Sequence, residues 1–334
     1  MSGAPTRLAG GPSFWTHADV SDESSWTARM SRDALDELRH VASEFRNCSL
    51  RDLSASALPK RGPLAHAAGR WREALDTGLG FVRVRGVQVD DLSPAEIELR
   101  YAILGLYLGT PVPQNMNGEL LTHIRDTGAD PTLSSTRLYT TRAEQDFHTD
   151  GADIIGLLCR RTSRAGGVSR IVSSGAIVAE IQRSRPDLFP VLFDDFPWHY
   201  QETGMPQALW FARPICSVPA TTSAGARLNT FFIPWYIHRS QELPDAPRLN
   251  APQHEVLELL VALANDPRFY LDMSFEPGDV QWLKNAAILH KRTAYEDFEE
   301  PERKRHLLRL WLSAPDFVDG DAQLRGGVRE ESAP

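Results

Sequence analysis

The stretch FHTDG, residues 147–151, carries the most informative pattern in this sequence of 334 residues. In a β-strand, residues i and i+2 point to the same face, so His148 and Asp150 can share one metal ion. An imidazole and a carboxylate joined by a second imidazole form the facial triad that binds ferrous iron and leaves coordination positions open. The HxD pattern by itself is weak, because a histidine and an aspartate also meet by chance at strand ends.

The second imidazole of such a triad is His290, which ends a strand-like apolar run and precedes a charged loop at 291–304. After this loop, the sequence RHLLRLWL (305–312) alternates with period two and predicts a strand. One face of that strand carries Arg305, Leu307, Arg309 and Trp311. Arginines on a packed face need an anionic partner, because a buried unpaired charge is costly. A dicarboxylate cosubstrate would supply that partner, and structural carboxylates are the alternative.

Around these motifs the chain predicts helices first and short strands afterwards. We expect helices at 31–47, at 66–77 and from Ser93 to about 109, with a strand at 81–87. From about 120 to 240, β-prone runs alternate with turns and surround one helix at 175–192; these runs are GLLCR, VSRIVSS, LWFARPICSV and ARLNTFFIPWYI. A further helix at 252–265 precedes the last strands.

This order of elements predicts a mainly β fold with helices. The specific prediction is a double-stranded β-helix core (a jelly roll, cupin-like) with N-terminal and inserted helices. A doubly wound α/β sheet would require a regular alternation of strands and helices, which the sequence lacks. Residues 1–25 and 318–334 are rich in Gly, Ser, Pro and charge and predict flexible termini around a single jelly-roll domain at 26–317.

The composition excludes several classes of partner. The net charge of -8 and the pI near 5.7 argue against a nucleic-acid-binding surface, which needs an excess of clustered Lys and Arg. No apolar stretch is long enough for a membrane span, and we expect no signal peptide. The three cysteines form no CxxC pair, which favours a reducing, cytoplasmic location. A homo-oligomer stays compatible with the sequence.

Three segments together resemble the taurine dioxygenase (TauD/TfdA) family of iron(II)- and 2-oxoglutarate-dependent oxygenases. They are FHTDG, GGVSRIVSS (166–174), and the Leu-His pair at 289–290 followed by two arginines. The resemblance runs from about residue 81 to 313. It implies iron(II) as the metal, 2-oxoglutarate as the cosubstrate and O₂ as the oxidant, with the metal bound by His148, Asp150 and His290.

The same resemblance implies roles for three further residues. Ser169 and Arg305 are expected to hold the distal carboxylate of 2-oxoglutarate, and Arg309 is expected to reach the primary substrate. The loop between His290 and Arg305 is a few residues longer than in taurine dioxygenase. The sequence RAEQ before the FHTDG stretch does not match the sulfonate-binding residues of that enzyme, so taurine is not implied.

The expected reaction is hydroxylation or a related oxidation of a small organic molecule, with release of succinate and CO₂. We prefer a carboxylate-bearing substrate because of Arg309. Further candidates for substrate contacts are Asn115, Glu144 and Trp235, although Asn115 also suits a turn and Trp235 also suits a core. Two alternatives stay open at this point. A zinc-dependent hydrolase or isomerase on a cupin-like barrel would use the same ligands, and a jelly-roll binding protein would have no catalysis.

Overall fold

The computed structural model describes residues 4–6, 8, 10–115, 117–133, 136–199, 210–218, 228–315 and 317. The helices are α1 Arg32–Glu44, α2 Pro63–Asp76, α3 Pro94–Leu106, α4 Ser174–Ser184, α5 Pro234–Ser240 and α6 Ala251–Ala264. The strands are β1 Thr27–Arg29, β2 Phe81–Arg85, β3 Thr110–Pro111, β4 Leu121–Ile124, β5 Ile154–Arg161, β6 Ala165–Gly166, β7 Ser169–Ser173, β8 Asp195–His199, β9 Trp210–Pro214, β10 Cys216–Ser217, β11 Asn229–Thr230, β12 Tyr270–Met273, β13 Val280–Lys284, β14 Ile288–Arg292, β15 Tyr295–Glu296 and β16 His306–Ser313.

Helices α1 and α3 begin directly after the serines at which the predicted helices start. The Ser31 hydroxyl accepts a hydrogen bond from the backbone N–H of Ala34 at the start of α1. At α3, Ser93 and Glu96 form a reciprocal capping box, and Pro94 occupies the first helical position. Each such cap satisfies N–H groups that the helix leaves unpaired and stabilises it by about 1 kcal/mol.

The larger sheet has seven strands in the order β1-β2-β13-β5-β16-β3, with β4 also paired to β16. It is a mixed sheet, because β1 and β2 are parallel and the other pairs are antiparallel. Helices α1, α2 and α3 cover one face, and their apolar side chains share a core cluster with this sheet. The expectation of a β-sheet fold with added helices is confirmed at this coarser level.

Strand β16 shows how the sheet separates core from site. Leu308, Leu310 and Leu312 are almost fully buried in the cluster under the helices. Burial of each leucine stabilises the fold by roughly 1.5–3 kcal/mol. Arg309 and Trp311 alternate with them and point to the opposite face, as the period-two pattern predicts. The hydrophobic alternation therefore fixes which side of the sheet carries the polar groups.

A second, antiparallel sheet has the order β12-β7-β14. An apolar cluster includes Ile171 and Ile288 from this sheet together with Ile155 and Leu283 from the larger one. The two sheets therefore pack face to face. On their far side, α4, α6 and the β8-β9 hairpin add a further core.

Two segments differ from the expectation. The run ARLNTFFIPWYI predicts a β-strand, but β11 contains only Asn229–Thr230 and α5 begins at Pro234. Proline at the first helical position has a backbone angle suited to a helix and no N–H for a sheet, so it overrides the β-prone neighbours. Within the predicted loose segment 1–25, Trp15 and Val20 are buried, and the Trp15 indole donates to the carbonyl oxygen of Leu79. The predicted flexible segment 318–334 lies outside the described residues.

No helix in the described part of the chain is both long enough and apolar enough to cross a lipid bilayer. The three cysteines are free thiols: Cys48 is exposed, and Cys159 and Cys216 are buried. A cytoplasmic location stays a prediction from the cysteine content.

Candidate active site

His148, Asp150 and His290 converge into one buried cluster, as the HxD…H pattern predicts. One potential ligand atom from each residue lies within 4.8 Å of the other two. The Nε2 atom of His148 is 3.8 Å from Oδ1 of Asp150, and Nε2 of His290 is 3.6 Å from Oδ2. The two imidazole ring centroids are 4.3 Å apart.

The two histidines are neighbours across an antiparallel bridge. The backbone N–H of His148 donates to the carbonyl oxygen of His290 at 3.0 Å, and the reverse bond is 2.9 Å long. This pair continues the β7-β14 sheet by joining the FHTDG stretch to β14. The bridge brings together two imidazoles that are far apart in sequence, and it does so through main-chain bonds alone.

Asn285 and Trp311 fix the position of Asp150. The Asn285 side chain accepts from the Asp150 N–H at 2.8 Å and donates to the Asp150 carbonyl at 2.7 Å. The Trp311 indole donates to Oδ2 of Asp150 at 3.0 Å, and Arg309 Nη1 lies 3.3 Å from the same oxygen. Both the backbone and one carboxylate oxygen are therefore held by neighbouring groups.

The protonation states suit metal binding. Nδ1 of His148 faces the carbonyl oxygen of Asp146 at 2.7 Å, so this nitrogen carries the proton and Nε2 keeps its lone pair. Burial and the neighbouring His290 lower the pKa of His148 to about 3. Burial opposes ionisation of Asp150, but the Arg309 guanidinium and both histidines hold its pKa below the usual range. The Nε2 lone pair of His148, the Asp150 carboxylate and the imidazole of His290 form a donor set that fits ferrous iron.

A second buried polar cluster lies around Tyr295. The Cζ atoms of Arg292 and Arg305 are 4.9 Å and 5.1 Å from the centroid of the Tyr295 ring. Nε and Nη1 of Arg292, Nη1 of Arg305 and the Tyr295 hydroxyl are buried without hydrogen-bond partners. Burial and the charge of Arg305 lower the pKa of Arg292 to about 10, and burial also lowers the pKa of Arg305. These orphaned donors fit an anionic group such as a carboxylate.

Gly167 and Ser169 border this cluster. Arg305 Nη2 donates to the Gly167 carbonyl at 3.4 Å, and a Cβ at Gly167 would lie 2.9 Å from Arg305 Nε. Since Gly167 also has a φ of +68°, this position requires glycine. The Ser169 hydroxyl is buried and donates to Oε1 of Gln281 at 3.0 Å. Ser169 lies opposite Arg292 in the β7-β14 register.

On the other side of the triad, Arg309 lies among aromatic rings. Its Nε donates to Oε1 of Gln114 at 2.8 Å, and its Cζ is 5.3 Å from the ring centroid of Tyr139. The Trp235 ring meets the His148 ring edge-on at 5.0 Å. The neighbouring Tyr236 is partly buried, which raises the pKa of its hydroxyl, and it interacts electrostatically with Asp150 and Arg309.

Two predicted substrate residues are engaged elsewhere. Asn115 donates to Glu119 at 2.7 Å and accepts from the N–H of Asn117, so it organises a turn. Glu144 is half-exposed and forms an ion pair with Lys291. In the described part of the chain, no contact joins Asn115 or Glu144 to the triad. The buried amide that does reach Arg309 is Gln114, one position before the predicted Asn115.

Comparisons with known proteins define the class of this fold and site. The taurine catabolism dioxygenase TauD, TfdA family matches residues 50–311. FR-33289 synthase of Streptomyces rubellomurinus is 29% identical over 340 residues, which covers 97% of this chain and 96% of that protein. Uridine-5'-phosphate dioxygenase of an Amycolatopsis species is 27% identical over 186 residues, covering 53% and 64%.

A solved structure of the non-heme iron oxygenase OrfP, in complex with Fe, succinate and (3S)-hydroxy-L-Arg, shares the fold. Its TM-score is 0.62 at 14% identity, and the match covers 86% of this chain and 94% of that one. Fold, site and family match together define an oxidoreductase of the non-haem iron type. The chain belongs to the TauD/TfdA family.

The protein is thus an iron(II)- and 2-oxoglutarate-dependent oxygenase. This conclusion separates it from the zinc-dependent hydrolase or isomerase and from the binding protein, which the triad alone leaves open. The prediction of iron(II) and 2-oxoglutarate is confirmed for the protein as a whole.

Proposed function

We propose that His148, Asp150 and His290 bind iron(II), and that Arg305 and Ser169 hold the distal carboxylate of 2-oxoglutarate. The observation that carries this assignment is the buried, unpartnered Nη1 of Arg305. Nη2 of the same guanidinium donates to the carbonyl oxygen of Gly167, two residues before Ser169 on β7, the strand that pairs with the one carrying His290. An unpaired buried guanidinium is costly unless an anion joins it.

We also propose that the two facing sheets form a double-stranded β-helix core, and that residues 26–317 make one domain. The shared apolar cluster between the sheets supports this reading. The packed segment around Trp15 extends the domain toward the N-terminus.

When bound, iron(II) and 2-oxoglutarate use O₂ to oxidise a C–H bond of the primary substrate, with release of succinate and CO₂. The protein contributes position and exclusion of water. Trp311 and Arg309 engage Oδ2 of Asp150 and orient this ligand, while the Asp146 carbonyl fixes the tautomer of His148. The Trp235 ring covers the His148 side of the cluster.

The primary substrate in this proposal is a small molecule with an anionic group, a carboxylate or a phosphate. Arg309 is buried beside the triad. Among the described residues, Asp150 is the one carboxylate that contacts it. A guanidinium has five N–H donors, so Arg309 can bind a substrate anion in addition to Asp150. One relative is named for a nucleoside phosphate, and OrfP was solved with an amino acid. The net outcome is hydroxylation or a related oxidation.

The assignment of Arg305 is tested by Arg305→Ala with Arg303→Ala as the matched control. Arg303 is exposed, pairs with Glu300 and lies over the ring of Phe298, so its loss removes the same charge from the same segment without touching the cluster around Tyr295. Loss of a buried charge-assisted contact should raise the Kd for 2-oxoglutarate about 30-fold or more. The Kd is measured by anaerobic calorimetry on the iron(II)-loaded protein. An unchanged Kd in Arg305→Ala would remove Arg305 from the cosubstrate site.

A further inference from the structure

Arg292 lies beside the proposed cosubstrate site, and the role given to Arg305 does not use it. Its side chain is 5% exposed, yet its Nε and Nη1 atoms have no hydrogen-bond partner. Arg292 and Arg305 both contact the ring of Tyr295, whose buried hydroxyl is also unpartnered. Unpaired donors from three residues therefore meet around one aromatic ring.

The strand register places Arg292 on the face of the sheet where the cosubstrate is expected. Arg292 lies directly opposite Ser169 in the antiparallel β7-β14 pair. Side chains at such opposite positions are neighbours on one face of the sheet. His290 precedes Arg292 by two residues and shares this face, at a distance of roughly 7 Å along the strand. A five-carbon dicarboxylate held at the metal would be long enough to reach Arg292 over this distance.

Two carboxylates act on this cluster from a distance, Asp126 on Arg292 and Asp297 on Arg305, and neither forms an ion pair with the guanidinium. Among the described residues, neither Arg292 nor Arg305 has a carboxylate within the 4.0 Å ion-pair distance. Two buried guanidinium groups close to each other repel, so the folded state favours an anion between them. A carboxylate has two oxygens and about four lone pairs, which is enough for donors from both arginines and for the tyrosine hydroxyl.

The third guanidinium nitrogen of Arg292, Nη2, contacts backbone carbonyl groups. Its Nη2 donates to the carbonyl oxygen of Leu138 at 3.4 Å and to that of Ala143. The backbone carbonyl of Arg292 also accepts from the N–H of Gln145 at 3.0 Å. Between these points lies Tyr139, whose ring packs near Arg309 in the proposed pocket for the primary substrate. One guanidinium thus contacts both the anion cluster and the segment 138–145.

We propose that Arg292 is a second cationic contact for the distal carboxylate of 2-oxoglutarate, and that it links cosubstrate binding to the segment 138–145. Nε and Nη1 serve the carboxylate, while Nη2 holds the carbonyls of Leu138 and Ala143. Cosubstrate binding then orders the wall that carries Tyr139 before the primary substrate enters. This inference rests on the proposed function, since it needs 2-oxoglutarate in the Arg305 site.

The first test uses the unaltered protein with iron(II) under anaerobic conditions. Hydrogen exchange of peptides covering 138–145 is followed with 2-oxoglutarate and with 2-oxopentanoate, which has the same keto-acid end and lacks the distal carboxylate. At saturation by both compounds, only 2-oxoglutarate should slow exchange in this segment, by about tenfold or more. Equal protection by the two compounds would overturn the link.

The second test compares Arg292→Ala and Arg292→Lys with Arg170→Ala. Arg170 is the neighbour of Ser169 on β7, and it pairs with Asp272 away from the cluster, so it controls for charge. Arg292→Ala should raise the Kd for 2-oxoglutarate on the order of 10- to 100-fold, with partial recovery in Arg292→Lys. Its affinity for 2-oxopentanoate should match that of the control. A 2-oxoglutarate Kd equal to that of Arg170→Ala would overturn the contact.

The two proposals fail in distinguishable ways. If Arg305→Ala weakens 2-oxoglutarate binding but Arg292→Ala does not, the proposed function stands and the role of Arg292 is wrong. If neither variant changes the Kd, the distal carboxylate lies elsewhere and both assignments fail. If Arg292→Ala does not fold, the exchange experiment on the unaltered protein decides the question.

Discussion

The indole nitrogen of Trp311 lies 3.0 Å from Oδ2 of Asp150 and donates a hydrogen bond to it. Trp311 therefore orients the carboxylate ligand and also packs in the apolar cluster between the two sheets. Such outer contacts orient a ligand and keep it ionised before the metal binds.

Trp311→Phe should lower the affinity for iron(II) by about 10- to 100-fold, because the carboxylate loses one of its two described side-chain donors. Trp282→Phe is the matched control, since its indole is buried in the core and has no hydrogen-bond partner. The measurement is an anaerobic iron(II) titration of each folded variant. Equal iron affinity in the two variants would show that the Trp311 bond does not support the ligand.

The charge preference of the substrate pocket can be tested with paired compounds. We expect uridine 5'-phosphate to stimulate succinate release more than uridine, or L-arginine more than agmatine, because only the first of each pair carries the anion for Arg309. Arg309→Gln should remove this preference while the Kd for 2-oxoglutarate changes by less than about threefold. Equal stimulation by the two compounds of a pair, with and without the anionic group, would contradict an anion-binding role.

Gly156→Ala should destabilise the fold by about 1–3 kcal/mol. A Cβ at this position on β5 would lie 2.5 Å from the Tyr101 hydroxyl and still closer to the Trp282 ring, and both residues are fully buried. Gly69→Ala is the control, because this exposed glycine inside α2 has no atom within 4 Å of its Cβ position. Alanine there should stabilise the helix by about 0.5–1 kcal/mol. Urea unfolding measures both changes, and a loss of stability in Gly69→Ala alone would refute the packing argument.

His306 should make stability depend on acidic pH. Burial and the charge of Arg160 lower the pKa of His306 to about 3, whereas an unfolded histidine has a pKa of about 6.5. The unfolded chain therefore binds a proton between these values that the folded chain does not. The free energy of unfolding falls as the pH drops from 6.5 toward 3, by up to about 1.4 kcal/mol per pH unit from this residue.

The His306→Gln variant should consequently show a shallower loss of stability than the unaltered protein when urea unfolding is repeated at pH 7, 6 and 5. His254 is exposed on α6, so His254→Gln is the control and should keep the original slope. Identical slopes for His306→Gln and the unaltered protein would mean that His306 does not titrate in this way.

The parts of the fold and of the site that the sequence predicts are those that depend on short-range patterns. The triad needs only the i, i+2 rule at His148 and a later histidine, and the caps at Ser31 and Ser93 involve residues three positions apart. The alternation on β16 also identifies Arg309 as inward-facing. In each case the deciding interaction lies within a few residues of the pattern.

The residues that sequence reasoning missed act on partners far along the chain. Asn285 binds the backbone of Asp150, and Gln114 binds the side chain and backbone of Arg309. Neither pairing follows from a periodic pattern, because sheet register and chain path decide them. A buried polar residue between two apolar strands, as at Asn285, is nevertheless a visible mark of such a role. The helix at Pro234 was missed because β propensity depends on context and yields to proline geometry.

The main-chain bridge between His148 and His290 has a consequence for folding. It closes a very long loop, and iron(II) bound to both imidazoles would act as a crosslink across that loop. Because the unfolded chain offers only the local HxD pair, the metal binds the native topology more tightly and stabilises it by mass action. We therefore expect that removal of the metal by a chelator accelerates unfolding, most of all in the segment around residue 148. The bound metal should slow the unfolding of the sheet that this bridge closes.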